Sequence, residues 1–246
     1  MERHDRAPVT SLFWGSAVAP GQVRVSGAPA QHARVRRVQP GDTVRLVDGL
    51  GHVASGHVES LGKGELLVVV DRVSEVPPPS SLDVIVPVAD RDRMLFAAEK
   101  CVELQVTSWR PAYFARSRSV SPRGEGSKFQ DKVRSRMQSA LEQSGGAWMP
   151  HLHDEAEIIA ALRGIPADRA KFLLDISGDS FANLAPTGGV ALAVGPEGGM
   201  EAREIATARD SGWVTASLGA TTLRFETAVI AGVAMIRAAQ LSRGSV

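Results

Sequence analysis

VALAVGPEGGMEAREIATARD, residues 190–210, is the stretch that decides how this chain folds. VALAV is a short run of apolar, strand-forming residues, and the pattern after Met200 has the spacing of a helix. Between them stand Gly195, Pro196, Glu197, Gly198 and Gly199. Three glycines and a proline in five residues give more conformational freedom than a plain connection needs. A strand, a glycine turn and a helix in that order mark an α/β protein, and such turns at the carboxyl ends of strands are where those proteins bind ligands. The turn is neither G-x-G-x-x-G nor a phosphate-binding G-x-x-x-x-G-K-S/T loop, which disfavours standard dinucleotide and triphosphate sites.

Downstream, WVTASLG reads as the next strand and SLGATTLRFETA (217–228) as a second glycine turn opening a helix. Upstream, KFLLDIS reads as the strand before, ending at LLDIS (173–177). Consecutive strands often neighbour in space, so the two glycine turns are expected to face one crevice. Further upstream, LDVIVPVA and SWRPAYF read as strands, while 92–106, Lys128 to Ser144 and AEIIAAL read as helices. Alternating strands and helices predict a mostly parallel sheet covered on both faces. The last helix, ETAVIAGVAMIRAAQL, is apolar nearly all round. It is expected to be buried on every side, by another element or another subunit.

Before Ser81 the pattern changes. QVRVSG, DTVRLVDG, GHVASGHVES and GELLVVVDRV read as short strands, with a hairpin turn at Asp48–Gly49 and one helix around AQHARVRR. SEVPPPSS cannot continue a helix or a central strand. The expected organisation is therefore a small β-barrel over 1–74, a proline-rich linker over 75–81 and an α/β domain over 82–246.

Composition is ordinary for a globular chain, 43% hydrophobic and 22% charged. One cysteine, Cys101, excludes an internal disulfide and a thiolate metal site, and fits a reducing, cytoplasmic setting. The first residues lack the long apolar core of a secretory signal, and AVIAGVAMI is too short to span a bilayer. The net charge of +1 hides segregation. Residues 110–136 hold eight Lys/Arg against two acidic residues, and 24–45 hold five Arg against Asp42. Such segments are a possible polyanion footprint, with a solvated surface as the plain alternative. HLHDE (151–155) has no third ligand in view and reads as a surface loop; no metal is expected. Cys101, in an apolar helix, reads as a buried inert thiol, and the Asp90–Asp92 loop as solvated.

GPEGG, Arg203–Glu204–Ile205, LG and LRFETA together resemble the carboxy-terminal signature of the SPOUT methyltransferases. More narrowly they are similar to the RsmE-type 16S ribosomal RNA uracil-N3 methyltransferases. HARVRRVQPGDTVRLVDGLG resembles that family's PUA-like RNA-binding barrel, EKCVELQV its K-x-x-E-L-G-V helix, and EQSG its E-Q-S/C helix end. The resemblance implies a trefoil-knotted parallel-sheet domain, a homodimer, and S-adenosylmethionine (SAM) in the knot. Carried over by position, the cofactor would lie against Leu174, Ile176, Gly195, Pro196, Glu197, Gly198, Gly199, Ser217, Leu218, Gly219, Leu223, Thr227 and Ala228. Three positions depart from the family pattern: Glu201 in place of a hydroxyl helix cap, Gln105 in place of Gly, and Gly146 in place of Arg.

Methylating uracil N3 requires loss of its proton, with charge developing on O2 and O4. Arg224 is the candidate cation and Glu226 the candidate base, a structural ion pair between them being the alternative. N3 lies on the pairing edge, so the nucleotide must be unpaired or extruded. His32, Arg34, Arg36 and Arg37 are candidate RNA contacts in the barrel, and Arg116, Arg118, Lys128 and Lys132 candidate phosphate contacts. Ribose 2′-O methylation, and RNA binding without catalysis, are the competing readings.

Overall fold

A computed structural model describes residues 9–16, 19–117, 122–181 and 188–243. The chain divides into two compact units, Met1–Pro78 with Gln138–Met149, and Pro79–Met137 with Pro150–Val246.

The first unit holds β1 (Thr10–Phe13), β2 (Gly21–Ser26), β3 (Thr43–Val47), β4 (His52–Leu61) and β5 (Glu65–Glu75), in the order β1-β3-β4-β5-β2. β1 pairs β3 in parallel and the other pairs are antiparallel. Alternation puts Val44, Leu46, Val58, Leu66, Val68 and Val70 inside with Leu12 and Val25. Helix α1 (Ala28–Val35) touches both end strands, β1 and β2, and adds Ala30 and Ala33 to the core. The hairpin is at Asp48–Gly49 as expected. Gly49 has φ +78°, and Asp48 Oδ1 accepts from the N–H groups of Leu50 (2.7 Å) and His52 (3.1 Å). β1, which the sequence reading did not single out, is only four residues long.

The second unit runs β6 (Leu82–Pro87), α2 (Arg91–Glu103), β7 (Ser108–Tyr113), α3 (Ser127–Ser144), β8 (His151–Leu152), β9 (Ala156–Glu157), α4 (Ile158–Arg163), β10 (Ala170–Ser180), β11 (Val190–Val194), α5 (Ala202–Asp210), β12 (Val214–Ser217) and α6 (Phe225–Arg243). The last turns of α3 belong to the first unit. The sheet order is β12-β10-β11-β6-β7-β8, with β9 also on β7, and every pairing is parallel. β6 and β11 are buried along their whole length, as central parallel strands must be.

Two expectations need correction. β11 and β12 are not neighbours: β10 lies between them, because the chain returns to the far edge of β10 after α5. Ala156 and Glu157 extend along β7 before the helix begins at Ile158. Within the single chain, helix α6 is covered on one side. Val229, Gly232, Val233 and Ile236 face inward, where α6 contacts α2, β6 and β11, while Ala234, Met235, Ala238 and Leu241 stay exposed, Leu241 at 73%.

Helix α2 ends in a left-handed residue. Val106 N–H bonds Cys101 C=O (2.8 Å) and Gln105 N–H bonds Val102 C=O (2.9 Å), with Gln105 at φ +58°. This is the paired-bond helix stop that usually carries Gly, and the sequence marks it by the Gln that stands where the resemblance has Gly. α1 ends the same way, with Val38 bonded to Ala33, Arg37 to Arg34, and Arg37 at φ +56°. Cys101 is fully buried, which pushes its thiol far above the usual range and makes it inert.

Candidate cofactor and catalytic site

The glycine turn after β11 is held from both sides. Gly199 (φ +72°) closes it by donating its N–H to Pro196 C=O at 2.8 Å. The buried Glu204, in the first turn of α5, accepts from Glu201 N–H (2.7 Å) and from Ala115 N–H (2.9 Å). The first bond caps α5, and the carboxylate also suits the positive helix end. The second fixes the segment after β7, so that Arg116 donates to Gly198 C=O at 2.9 Å. The second glycine turn is braced by Ser217, whose Oγ donates to Gly219 C=O at 2.9 Å.

Because β10 is central to this end of the sheet, its carboxyl end lies between the two glycine turns. The three together line a cavity of about 300 Å³, at the small end of ligand pockets, which run roughly 300–1,000 Å³. Of the residues expected at the cofactor, Leu174, Ile176, Gly195, Pro196, Glu197, Gly198, Gly199, Ser217, Leu218, Gly219, Leu223 and Ala228 line it. Thr227 does not; it is exposed on α6. The cavity also has walls from Asp175, Met200, Thr221, Thr222 and Phe225, which the sequence reading passed over. Asp175 was findable, since it separates Leu174 from Ile176.

The lining fits SAM. Ile176 is 57% exposed at the wall, an apolar surface that a flat heterocycle would cover. Glycine turns bring backbone N–H and C=O groups close, and Asp175, Ser217 and Glu197 add polar groups for an amino acid and ribose.

Arg224 and Glu226 do not line the cavity; they stand on either side of Phe225, which does line it and begins α6. Arg224 is exposed and its guanidinium makes no hydrogen bond or ion pair among the described residues, so the two do not form an ion pair. Glu226 is only 9% exposed, its Oε2 has no hydrogen-bond partner, and among the described residues it pairs with Arg93, whose Nε is 3.9 Å from Oε1. Arg93 also bonds Glu197. It lies next to the Asp90–Asp92 segment read as solvated. Asp90 in fact caps α2, accepting from Asp92 and Arg93 N–H at 3.1 Å each.

The expected RNA residues fall in separate places. On α1 and its end, Arg34, Arg36 and Arg37 are exposed. His32 is half-buried and paired with Glu142 at 2.6 Å beside a second cavity of about 810 Å³, which Arg36 also lines. Burial raises the Glu142 carboxyl above its usual range, against the lowering pull of Phe13 N–H, His32 and Arg36. Lys128 and Lys132 are exposed on the outer side of α3, opposite the buried Phe129, Val133 and Met137. Arg116 sits on the glycine turn, and Arg118 lies outside the described residues. Part of the basic excess over 110–136 is structural: Arg110 pairs with Asp83 (3.4 Å), Arg123 with Glu125 (3.1 Å) and Arg136 with Glu99 (3.0 Å).

Comparison with known proteins matches residues 76–237 to an RNA methyltransferase domain and residues 26–71 to an RNA methyltransferase PUA domain. Ribosomal RNA small subunit methyltransferase E of Mycobacterium bovis is 30% identical over 226 residues, covering 83% of this chain and 81% of that protein. The protein of the same name from Synechocystis is 27% identical, covering 83% and 69%. The crystal structure of ribosomal RNA small subunit methyltransferase E from Neisseria gonorrhoeae, bound to S-adenosyl methionine, superposes with a TM-score of 0.86 at 25% identity over 95% of this chain and 98% of that one. The fold is thus a parallel-sheet RNA methyltransferase domain preceded by a PUA-like domain, and the chain belongs to the RNA methyltransferase family, among the ribosomal RNA small subunit methyltransferases E.

Proposed function

We propose that this protein uses SAM to methylate N3 of a specific uridine in 16S ribosomal RNA of the small ribosomal subunit. The observation that carries the reading is the cavity built from the carboxyl ends of β10, β11 and β12, whose lining suits SAM. SAM supplies a methyl group on a cationic sulfur, and the sulfur keeps the bonding pair when the methyl leaves. The chain's own residues do the rest. The glycine turns grip the cofactor through backbone groups. Arg224, exposed beside the lining residues Leu223 and Phe225, stabilises charge developing on O2 and O4 of the base. Glu226, with a buried unpaired oxygen, takes the N3 proton. Arg34, Arg36 and Arg37 on the PUA-like unit, with Lys128 and Lys132 on α3, hold phosphates around an unpaired target.

Residues 1–74 serve as the RNA-reading domain, 75–81 as the linker and 82–246 as the knotted methyltransferase. The exposed apolar stripe of α6, Ala234, Met235, Ala238 and Leu241, supports a homodimer, because a second copy would cover it. The setting is cytoplasmic, where ribosomal subunits are made. No helix is long and apolar enough to cross a membrane, and no cluster of three metal-ligating side chains occurs among the described residues.

The test is methyl transfer from labelled SAM to small subunits lacking the modification, followed by nucleoside identification. N3-methyluridine from the wild-type protein, at least about 10²-fold reduced in Arg224→Ala, is the expected result. A 2′-O-methyl product would refute the N3 assignment. No transfer together with no SAM binding by calorimetry would refute catalysis altogether.

A further inference from the structure

Arg93 has no role in anything derived so far, yet it joins the two glycine turns. Its Nη1 donates to Glu197 Oε1, within the turn after β11. Its Nε faces Glu226 Oε1 at 3.9 Å, in the first turn of α6. The side chain is rooted in a fixed backbone, because the Asp90 cap holds Arg93 N–H and Met94 N–H bonds Asp90 C=O at 3.0 Å. Arg93 is therefore a rigid post on a third element, α2, between two segments that must keep their spacing for the cavity to keep its shape.

The second observation is the orphaned oxygen of Glu226. A carboxylate oxygen hidden from water and given no donor is costly, and native structures rarely leave one without a purpose. The fork of Arg93 engages Glu226 on the Oε1 side alone. Oε2 is left as an acceptor for something that arrives from outside.

We propose that Arg93 is a positioning residue of the methyl-transfer site: it clamps the GPEGG turn to the first turn of α6 through Glu197 and Glu226. It thereby holds Glu226 Oε2 as a preformed acceptor for an N–H of the incoming base. This rests on the methyl-transfer reading above. Arg93 acts through Glu197 on the cofactor side and through Glu226 on the base side, so the two effects are separable.

The experiment measures SAM affinity by calorimetry and kcat on small subunits for Arg93→Ala, Arg93→Lys, Glu197→Gln, Glu226→Gln and the two doubles that include Arg93→Ala. Arg91→Ala, whose guanidinium lies over the Phe129 ring, controls for disturbance of the start of α2. Arg93→Ala is expected to weaken SAM about tenfold, the size of one charge-assisted hydrogen bond, and to lower kcat about 10²-fold through misplacement. Arg93→Lys should restore part of both and serves as the working variant if Arg93→Ala fails to fold. In the Glu197→Gln background the SAM effect of Arg93→Ala should vanish, and in the Glu226→Gln background its kcat effect should vanish. Full additivity in both cycles, or an Arg93→Ala protein matching Arg91→Ala, overturns the proposal. If the wild-type protein binds SAM but makes no N3-methyluridine, the functional reading fails. The clamp then stands or falls on the SAM-affinity cycle alone.

Discussion

Replacing Gln105 by Gly should stabilise the protein. Gln105 follows the last turn of α2 at φ +58°, a left-handed conformation that costs an L-residue roughly 1–2 kcal/mol because its β-carbon crowds the following carbonyl. Glycine removes that crowding but loses more backbone freedom on folding, about 0.5–1 kcal/mol. The native contacts through this residue are main-chain ones: its N–H to Val102, and its C=O accepting from Arg237. Both survive the change, and the Gln side chain is exposed. The net expectation is a gain of about 0.5–1 kcal/mol, or ~1–4 °C in midpoint for a chain of this size. Scanning calorimetry at fixed protein concentration reads it directly. Gln105→Ala is the control: it keeps the β-carbon, so it should not gain. A glycine variant no more stable than the alanine variant would refute the claim that the β-carbon is the source of strain.

Arg37→Gly at the end of α1 obeys the same logic and should stabilise the first unit by a similar amount while weakening RNA binding in a filter assay. Gly56→Ala should destabilise that unit by about 1–3 kcal/mol in urea titration, since its β-carbon would stand 2.0 Å from Val69 C=O in the neighbouring strand. Asp83→Ala should cost about 3–5 kcal/mol, because it leaves Arg110 (3.4 Å) and Arg169 (3.1 Å), both largely buried, without their shared carboxylate. His153 is pushed from its usual 6.5 to about 4 by burial first, then by the charges of Arg110 and His151. The unfolded chain therefore binds its proton first, and stability should fall as pH drops from about 6.5 towards 4. His153→Gln should flatten that limb of the midpoint-versus-pH curve.

Much of the second unit was legible because its information is local. VALAV, LDVIVPVA and the helix from Lys128 to Ser144 announce themselves by period and by their neighbours, and the structure has β11, β6 and α3 there. The twelve residues that both the resemblance and the cavity share lie in three short motifs at strand ends, which is why they were found. What was missed is non-local. Nothing in the composition of LLDIS says that it sits between two later strands. β1, β8 and β9 are too short to carry a pattern, and exist because a longer partner strand recruits them. Arg93 lies in the helix read over 92–106 and was not singled out, since its partners Glu197 and Glu226 are far along the chain. Apolar residues all round α6 do not say whether the cover comes from the same chain, and within this chain one side stays exposed.

The place of β10 has a consequence for how the protein is made. When synthesis reaches Ser180, β6, β7 and β8 can already be paired, but β10 has no neighbour: its two partners, β11 and β12, are still to come. The gap beside β6 is filled only when β11 emerges, ~1–3 s later at roughly 5–20 residues per second. β11 then adds to the free edge of β6 and gives β10 its first neighbour. Only after that can β12 close on the outer side of β10. Translation speed over residues 180–217 should therefore govern yield, and refolding of the full chain from denaturant should be slow, since every one of these pairings is long-range.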